Sequence, residues 1–208
     1  MPDFKLENAC SGVIAGIDEA GRGPWAGPVV AGAVVFCNRD LPPLLANNLD
    51  DSKKLSKTKR EMLYDELMKA AQSGTAVIGI GTASCREIDE LNILQATFLA
   101  MRRAAEGLKV RPDIALIDGN RTPDNFICPV KTVIKGDAKS FSIAAASIVA
   151  KVYRDRIMCD LAKIYPYYGF EKNAGYGTAT HIAGLKTHGI TPEHRLSYKP
   201  IQAIIQKK

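Results

Sequence analysis

Gly16-Ile17-Asp18-Glu19-Ala20-Gly21-Arg22-Gly23-Pro24 lies between two apolar runs of the chain. The first run, residues 13–17, reads as a buried strand, and the second, residues 28–36, suits its hairpin partner. Two carboxylates and a glycine-rich turn therefore follow a strand, where rigid backbone can hold them. Glycine lets main-chain N–H groups approach a ligand, and arginine adds a planar charged donor. The segment predicts either a site for a metal ion and a phosphate backbone or a polar hairpin loop.

The 208-residue chain has an ordinary globular composition with a modest basic excess. Hydrophobic residues make up 46% of it and charged residues 24%, which allows one sizeable core. A formal net charge of +6 favours a polyanionic partner without identifying one. No run approaches the ~20 apolar residues of a membrane span, and the five cysteines show no CxxC spacing. We therefore expect a cytoplasmic protein without a membrane segment, a zinc site or a disulfide framework.

Turn signals and hydrophobic periodicity along the chain predict an α/β domain with a mixed sheet. After the hairpin, the predicted elements are helices over 56–71, 91–108, 140–164 and 178–188 and strands over 75–81, 114–117 and 130–134. Pro192 and Pro200 each suit the first turn of a short helix. We expect a single domain over residues 1–208, with a helical C-terminal segment over about 178–208.

Four acidic residues differ from the rest, most of which lie on predicted helix faces and are expected to be solvated. Asp18 and Glu19 follow the first strand. Asp118 follows the fourth strand, and Asp137 follows the fifth and opens the long helix. Because parallel strands present their carboxyl ends at one edge, parallel pairing of the first and fourth strands would bring these acids together. The alternatives are a turn residue before Gly119 and a helix N-terminal acid at Asp137.

Such a cluster of carboxylates is unfavourable without cations. Two carboxylates ~4 Å apart repel by about 4 kcal/mol at an effective dielectric of ~20. Either some of them stay protonated or divalent metal neutralises them. Oxygen ligands with no histidine or cysteine nearby in sequence select Mg²⁺ or Mn²⁺ over zinc. Two such ions ~3.5–4 Å apart would activate water and stabilise the leaving oxygen in phosphodiester hydrolysis.

Basic and aromatic residues provide candidate contacts to a phosphate backbone. Lys53 follows an acidic turn, and Lys151 and Arg154 lie about one turn apart on the long helix. The alternative for each is a solvated face, and Asp155 could pair with Lys151 at i,i+4 spacing. Tyr176 belongs to a loop rich in tyrosine and glycine. Aromatic rings there can stack on sugars or bases, or fill the core.

Taken together, these residues closely resemble ribonuclease HII, the bacterial type-2 ribonuclease H. The matching segments follow the family's order and are residues 16–24, 51–55, 87–94, 116–120, 135–137, 142–152 with 154–155, and 175–178. The resemblance implies a ribonuclease H-like fold, with a five-stranded mixed sheet flanked by helices and a small helical C-terminal part. It implies hydrolysis of the RNA strand of RNA–DNA hybrids and incision 5′ to single ribonucleotides in duplex DNA. The products would carry 3′-hydroxyl and 5′-phosphate ends.

The resemblance also assigns roles to individual positions. Catalysis and the binding of two Mg²⁺ or Mn²⁺ ions are implied for Asp18, Glu19, Asp118 and Asp137. Substrate binding is implied for Gly21, Arg22, Gly23 and the junction-sensing Tyr176. Phosphate contacts or site support are implied more loosely for Lys53, Lys151 and Arg154. The expected partners are RNA–DNA hybrids and duplex DNA with embedded ribonucleotides, bound by a monomer.

Two positions depart from the family pattern. Gly177 follows the tyrosine where proline is expected, which would loosen that loop. The C-terminal residues 202–206 contain no aromatic side chain, so the sliding-clamp peptide of some relatives is not evident.

Two other functions compete with this interpretation. Another metal nuclease of the same superfold, such as a resolvase or integrase, would need no 2′-hydroxyl sensor, whereas this chain carries the glycine–arginine–glycine turn and the late tyrosine. A catalytically silent nucleic-acid-binding module would gain nothing from four acids facing phosphates.

Overall fold

Five strands form the sheet at the centre of the molecule. They are β1 (Ile14–Ala20), β2 (Val29–Phe36), β3 (Ala76–Ala83), β4 (Ile114–Asp118) and β5 (Val130–Val133). Their order across the sheet is β3-β2-β1-β4-β5. β2 is antiparallel to both β1 and β3, whereas β4 is parallel to both β1 and β5. The predicted mixed sheet, including the parallel pairing of the first and fourth strands, is confirmed.

The computed structural model describes residues 1–206, so the last two residues of the expected C-terminal segment lie outside the described part. Within it the helices are α1 (Lys5–Asn8), α2 (Pro43–Ala46), α3 (Lys57–Gln72), α4 (Cys85–Leu91), α5 (Ile93–Glu106), a 3₁₀ turn (Gly136–Ala138), α6 (Phe141–Ile164), α7 (Phe170–Asn173), α8 (Ala179–His188) and α9 (Lys199–Ile205). None of these helices is long and apolar enough to cross a lipid bilayer.

Helices cover both faces of the sheet because the central strands are buried on both sides. All eight residues of β2 are buried. On one face α6 packs on β1 and β2, with α3 beside it, and on the other face α5 packs on β2 and β3. Gly16 and Gly32 allow this close approach, since a Cβ at either would collide with the α6 backbone at Ser142 or Ala146. The long helix therefore lies directly behind the strand that carries Asp18.

The C-terminal part packs around a small apolar cluster of its own. Its buried members are Ala26, Met158, Tyr168, Phe170, Leu185 and Ile201. Pro200 lies in the first turn of α9, as expected. Pro192 does not begin a helix, because the chain after it is drawn to the β1–β2 loop. His194 forms an isolated bridge with Ala26 there, and the Arg195 N–H donates to the Trp25 carbonyl at 2.9 Å.

Candidate active site

Asp18 and Asp118 lie at the carboxyl ends of neighbouring parallel strands. The pairing of β1 with β4 runs in register as far as Ile17 opposite Ile117. The two acids are one residue further along, and the alternation of side chains places both on the α6 side of the sheet. Asp18 is only 5% exposed. The sheet topology thus brings together two acids that are far apart in the sequence.

Asp137 reaches the same edge from the turn after β5. Lys135 adopts a left-handed backbone with φ of 56°, which redirects the chain into the 3₁₀ turn. The Gly136 N–H then donates to Asp118 Oδ1 at 2.7 Å, so the turn is tied to the Asp118 carboxylate. Asp137 is buried. The turn that carries Asp137 is therefore fixed by its bond to Asp118 as well as by its connection to β5.

Glu19 lies next to Asp18 but on the opposite face of β1, because side chains alternate along a strand. Its Oε1 accepts a hydrogen bond from Arg22 Nη1 at 3.2 Å. The Glu19 N–H donates to Asp18 Oδ1 at 2.7 Å. The adjacent pair of acids is therefore held by its own backbone and by the arginine of the glycine-rich turn.

Burial, together with neighbouring carboxylates, raises the pKa of Asp18, Glu19 and Asp137. Burial raises the pKa of Asp18 well above its usual range, and the Glu19 and Asp118 carboxylates raise it further. Burial also raises the pKa of Glu19, against the opposing effect of Arg22. The pKa of Asp137 is raised by burial and by Asp118. The carboxylates share one electrostatic environment, and that environment disfavours their negative charge.

Among residues 1–206, no three histidine, cysteine, aspartate or glutamate side chains enclose one point as a ready-made metal cage. What the edge offers is a set of carboxylate oxygens that repel one another around a common space. Oxygen donors of this kind suit Mg²⁺ or Mn²⁺, and a divalent cation would offset the carboxylate repulsion that adds to burial in raising the pKa of Asp18 and Asp137. The chemistry of the donor set fits the expected ions, and the four-acid assignment stays a prediction.

A cleft of about 370 Å³ opens beside Asp18 and Glu19. Its walls include every residue expected to bind substrate: Gly21, Arg22, Gly23, Lys53, Lys151, Arg154 and Tyr176. Asp118 lines a smaller recess on the other side of Glu19 and Arg22. The fold therefore gathers residues from β1, the following turn, the Lys53 loop, α6 and the Tyr176 loop around one opening.

Tyr176 faces the glycine-rich turn across this cleft. A Cβ built on Gly23 would lie 3.4 Å from the tyrosine ring, so the ring and the turn are in close proximity. The tyrosine side chain is 53% exposed and free to meet a ligand. At Gly177, the Trp25 ring fills the space that a side chain would occupy.

The three basic candidates have different surroundings. Burial lowers the pKa of Lys53, but Asp18, Asp51 and other carboxylates raise it by more, so its ammonium faces the acidic edge. Lys151 forms the i,i+4 ion pair with Asp155, at 2.6 Å, and still lines the cleft.

Arg154 is a supporting residue in this structure. It is 1% exposed, and its guanidinium donates to the carbonyl oxygens of Pro28, Ala174 and Ala26 at 2.9 to 3.1 Å. Because those donors are engaged with backbone, the structure favours site support, the second of the two roles expected of it, over a direct phosphate contact. The bonds join the β1–β2 loop to the Tyr176 loop.

Three buried polar residues next to the cleft were not anticipated from the sequence. Arg195 is fully buried and donates to the carbonyls of Gly21, Arg22 and Gly27. His181 and His194 are buried side by side, with their Nε2 atoms 3.0 Å apart. No local pattern marks these positions, because their partners are mostly distant in the sequence. The only available signal was that the chain contains just three histidines.

Comparisons with known proteins show the family to which the chain is similar. A family model described as ribonuclease HII matches residues 15–201. The ribonuclease HII of Paramagnetospirillum magneticum is 56% identical over 201 residues, which cover 97% of each chain. Among solved structures, the ribonuclease H2 of Pyrococcus horikoshii is 27% identical, with a TM-score of 0.76 over 94% of this chain and 98% of that one.

A second solved structure is the complex of PCNA with ribonuclease HII from Archaeoglobus fulgidus. It is 29% identical to this chain, with a TM-score of 0.68 over 90% of this chain and 95% of that one. The likeness extends over nearly the whole length of each protein and includes the sheet that carries the acids. The fold is ribonuclease H-like, and the chain belongs to the ribonuclease HII family.

Proposed function

We propose that this cleft incises duplex DNA on the 5′ side of a single embedded ribonucleotide, by a two-metal mechanism that leaves 3′-hydroxyl and 5′-phosphate ends. Ribonucleases HII are endoribonucleases that act on RNA–DNA hybrids, and this chain is one of them. The observation that carries the finer proposal is that Tyr176 and the Gly21–Gly23 turn face each other in the cleft that Asp18 and Glu19 line.

Asp18, Glu19, Asp118 and Asp137 are the residues that would hold the divalent ions. Bound Mg²⁺ or Mn²⁺ supplies charge stabilisation and an activated water for phosphodiester hydrolysis. The protein positions these oxygen donors in advance: the Gly136 N–H holds one Asp118 oxygen, and the Glu19 N–H holds one Asp18 oxygen. Each carboxylate keeps its second oxygen outside these bonds.

The turn and the tyrosine would recognise the ribonucleotide itself. A 2′-hydroxyl is what distinguishes RNA from DNA at one nucleotide. Reading it takes donors or acceptors at short range, which glycine backbone and a tyrosine hydroxyl can provide. The exposed ring of Tyr176 can also stack on the neighbouring deoxyribose, so that the pair senses an RNA-to-DNA step.

Lys53 and Lys151 would contact the phosphate backbone of the substrate. Such contacts provide affinity and register without reading sequence. Neutralising a true phosphate contact should reduce the slope of log affinity against log salt by about one. If Lys53→Ala leaves both the affinity and the slope unchanged, Lys53 belongs to the solvated face.

One gel tests the proposal most directly. A DNA duplex with one internal ribonucleotide is incubated with the protein in Mg²⁺, in Mn²⁺ and in EDTA. We expect one nick, 5′ to the ribonucleotide, with either metal and none in EDTA. Undiminished cleavage in EDTA would exclude the metal mechanism, and an intact duplex beside a cleaved RNA–DNA hybrid would exclude the single-ribonucleotide activity.

Tyrosine variants then locate the sensor. Tyr176→Ala should depress cutting at a lone ribonucleotide far more than cutting within a long hybrid, where many registers compete. Losing one such contact costs roughly 1–3 kcal/mol. Tyr176→Phe keeps the ring and separates stacking from the hydroxyl. An equal loss on both substrates would mean that Tyr176 only supports its loop.

Residues 1–208 would act as a single catalytic domain, monomeric and cytoplasmic. The five cysteines are all free, which suits a reducing compartment. Residues 202–206, most of them within or next to α9, supply no aromatic anchor for a sliding clamp. A single molecular mass near 22.5 kDa in light scattering, and the mass of one protein plus one duplex when hybrid is bound, would support the monomer.

A further inference from the structure

One C-terminal segment, residues 191–198, lies behind both recognition elements of the cleft, and we name it the brace. It is anchored to the rest of the fold at both ends. The Gly27 N–H donates to the Glu193 carbonyl at 2.9 Å. The N–H groups of Leu196 and Ser197 donate to the Asp89 carboxylate at 2.9 and 2.8 Å. The brace is therefore a fixed support and not a loose tail.

Arg195 connects the brace to the glycine-rich turn. Its Nη1 donates to the Arg22 carbonyl at 2.9 Å, and its Nη2 donates to the Gly21 carbonyl. Nε and Nη2 both donate to the Gly27 carbonyl, at 3.0 and 2.8 Å. The Tyr198 hydroxyl adds a second bond to the Arg22 carbonyl at 2.6 Å. One buried guanidinium thus fixes the backbone carbonyls of the turn.

This arrangement sets the direction of the amides that follow. In a trans peptide the C=O of one residue and the N–H of the next point to opposite sides. Because the carbonyls of Gly21 and Arg22 point inward to Arg195, the N–H groups of Arg22 and Gly23 point away from it. Within the described chain neither N–H donates to another protein group. Arg195 therefore orients two donors that are free to meet a ligand.

His194, the neighbour of Arg195, connects the brace to the tyrosine loop. The Thr191 N–H donates to His194 Nδ1 at 2.9 Å, so that nitrogen accepts and the proton of the neutral ring is on Nε2. His194 Nε2–H then donates to His181 Nε2 at 3.0 Å. His181 Nδ1–H in turn donates to the Tyr176 carbonyl at 3.0 Å. Each bond fixes the tautomer of the next ring.

We propose that Arg195, His194 and His181 are positioning residues that set the selectivity for a lone ribonucleotide, by holding the Gly21–Gly23 turn and Tyr176 at a fixed separation. The inference rests on the proposed function of that turn and tyrosine. Two adjacent residues of one anchored segment hold the two elements, so the brace couples their positions. None of the three residues lines the cleft. Arg195 and His181 bind backbone carbonyls of the two elements, and His194 acts through the His181 ring.

The two connections can be broken separately. Arg195→Lys keeps the charge, but a single ammonium cannot reach the spread of carbonyls that the planar guanidinium spans. His181→Phe keeps a ring among Trp25, Tyr168 and Phe170 and removes both hydrogen bonds of the histidine. The matched control is Tyr168→Phe, which removes one buried hydrogen bond to Gly189 from the same cluster and touches neither connection.

The readout is the ratio of kcat/KM on a duplex with one ribonucleotide to kcat/KM on a long RNA–DNA hybrid. The assays are run well below the Tm of each variant. Arg195→Lys and His181→Phe should each lower kcat/KM on the single-ribonucleotide duplex by roughly 5- to 150-fold, the range for one lost buried polar contact. The loss should fall on kcat more than on KM, because the phosphate contacts remain. Tyr168→Phe should leave the ratio unchanged.

Equal losses on the two substrates, or an unchanged ratio in both variants, would overturn the proposal and leave the brace a purely structural element. If Arg195→Lys does not fold, His181→Phe decides the outcome alone. Failure of the proposed function gives a different result, since the wild-type protein would then not incise the single-ribonucleotide duplex at all.

Discussion

The acidic edge of the sheet and the glycine-rich turn beside it contain buried charges with opposite surroundings. At the edge, Asp18 is buried against other carboxylates, and burial together with Glu19 and Asp118 raises its pKa. Behind the turn, Arg195 of the brace is buried against carbonyl oxygens, all of which accept hydrogen bonds from it. Arg154 is buried in the same way.

The difference separates the residues expected to carry the chemistry from the residues that hold the backbone around them. Like charges held together favour a cation, so a divalent metal bound there would stabilise the edge. A guanidinium surrounded by carbonyls has its donors satisfied, so the turn is fixed before substrate arrives. Changes at the edge should therefore abolish activity without destabilising the fold. Changes around the buried arginines should destabilise the fold or shift the turn and Tyr176 relative to each other.

The largest effect is expected for Asp18→Asn. The variant should lose most of its activity in Mg²⁺ because an oxygen ligand and its charge are removed. Without metal it should be more stable than the wild type at neutral pH, since burial and the neighbouring carboxylates raise the pKa of Asp18 and so disfavour its charge in the folded state. Thermal melts in EDTA would show a Tm higher by roughly 2–4 °C per kcal/mol.

The exposed carboxylate of Asp160, paired with Lys163 on the surface, gives the matched control. Asp160→Asn should change neither activity nor Tm. Mg²⁺ should raise the Tm of the wild type and raise that of Asp18→Asn much less. Full activity of Asp18→Asn in Mg²⁺ would remove Asp18 from the site.

The next effect is expected for Arg154→Met, which leaves the Pro28, Ala174 and Ala26 carbonyls without their donor. Because one buried acceptor left unsatisfied costs about 1–3 kcal/mol, the loss of three should cost about 3–5 kcal/mol. Arg156→Met on the same helix removes an ion pair with Glu61 from a half-exposed side chain, and should cost no more than about 1 kcal/mol. Urea unfolding of the two variants would measure the contrast, and equal costs would contradict it.

A third prediction concerns pH, to which the two regions should respond with opposite signs. Burial lowers the pKa of His181, and burial with the neighbouring His181 lowers the pKa of His194 to about 4. The histidine contribution to stability is present above the unfolded pKa of about 6.5. It is lost as pH falls towards 4, and His194 alone accounts for about 3 kcal/mol.

The acids of raised pKa act the other way, because protonation relieves their repulsion as pH falls through their folded pKa values. The wild type in EDTA should therefore lose less stability on acidification than Asp18→Asn. Imidazole NMR signals would give the pKa of His194 directly. A value near 6.5 would contradict the burial of a neutral ring.

The smallest effect is expected for Gly177→Ala. A methyl group there would collide with the Trp25 ring, and overpacking of this kind costs about 1–3 kcal/mol. The cost should fall when Trp25 is replaced by a smaller residue, which a double-mutant cycle would detect. An undamaged Gly177→Ala variant would mean that the indole moves aside freely.

Much of the fold was determined by local patterns in the sequence. Apolar runs of strand length predicted the five strands, and the local Ser84–Glu87 capping box marks the start of α4. Acids predicted to follow strands indicated the edge, because parallel strands end on the same side of a sheet. The structure places Asp18, Glu19 and Asp118 in the last residues of the strands themselves. The order of the motifs along the chain indicated the family.

Tertiary structure alone decided what the buried polar residues do. Arg154 looked the same in sequence as an exposed helix arginine, and its partners Pro28 and Ala26 lie 126 and 128 residues away. The partners of Arg195 at Gly27 and Arg22 are 168 and 173 residues away. Periodicity reports which face of an element is apolar, but a buried guanidinium is satisfied by carbonyls that converge only when distant loops meet. The sequence therefore located the chemistry, and the folded chain determined how it is held.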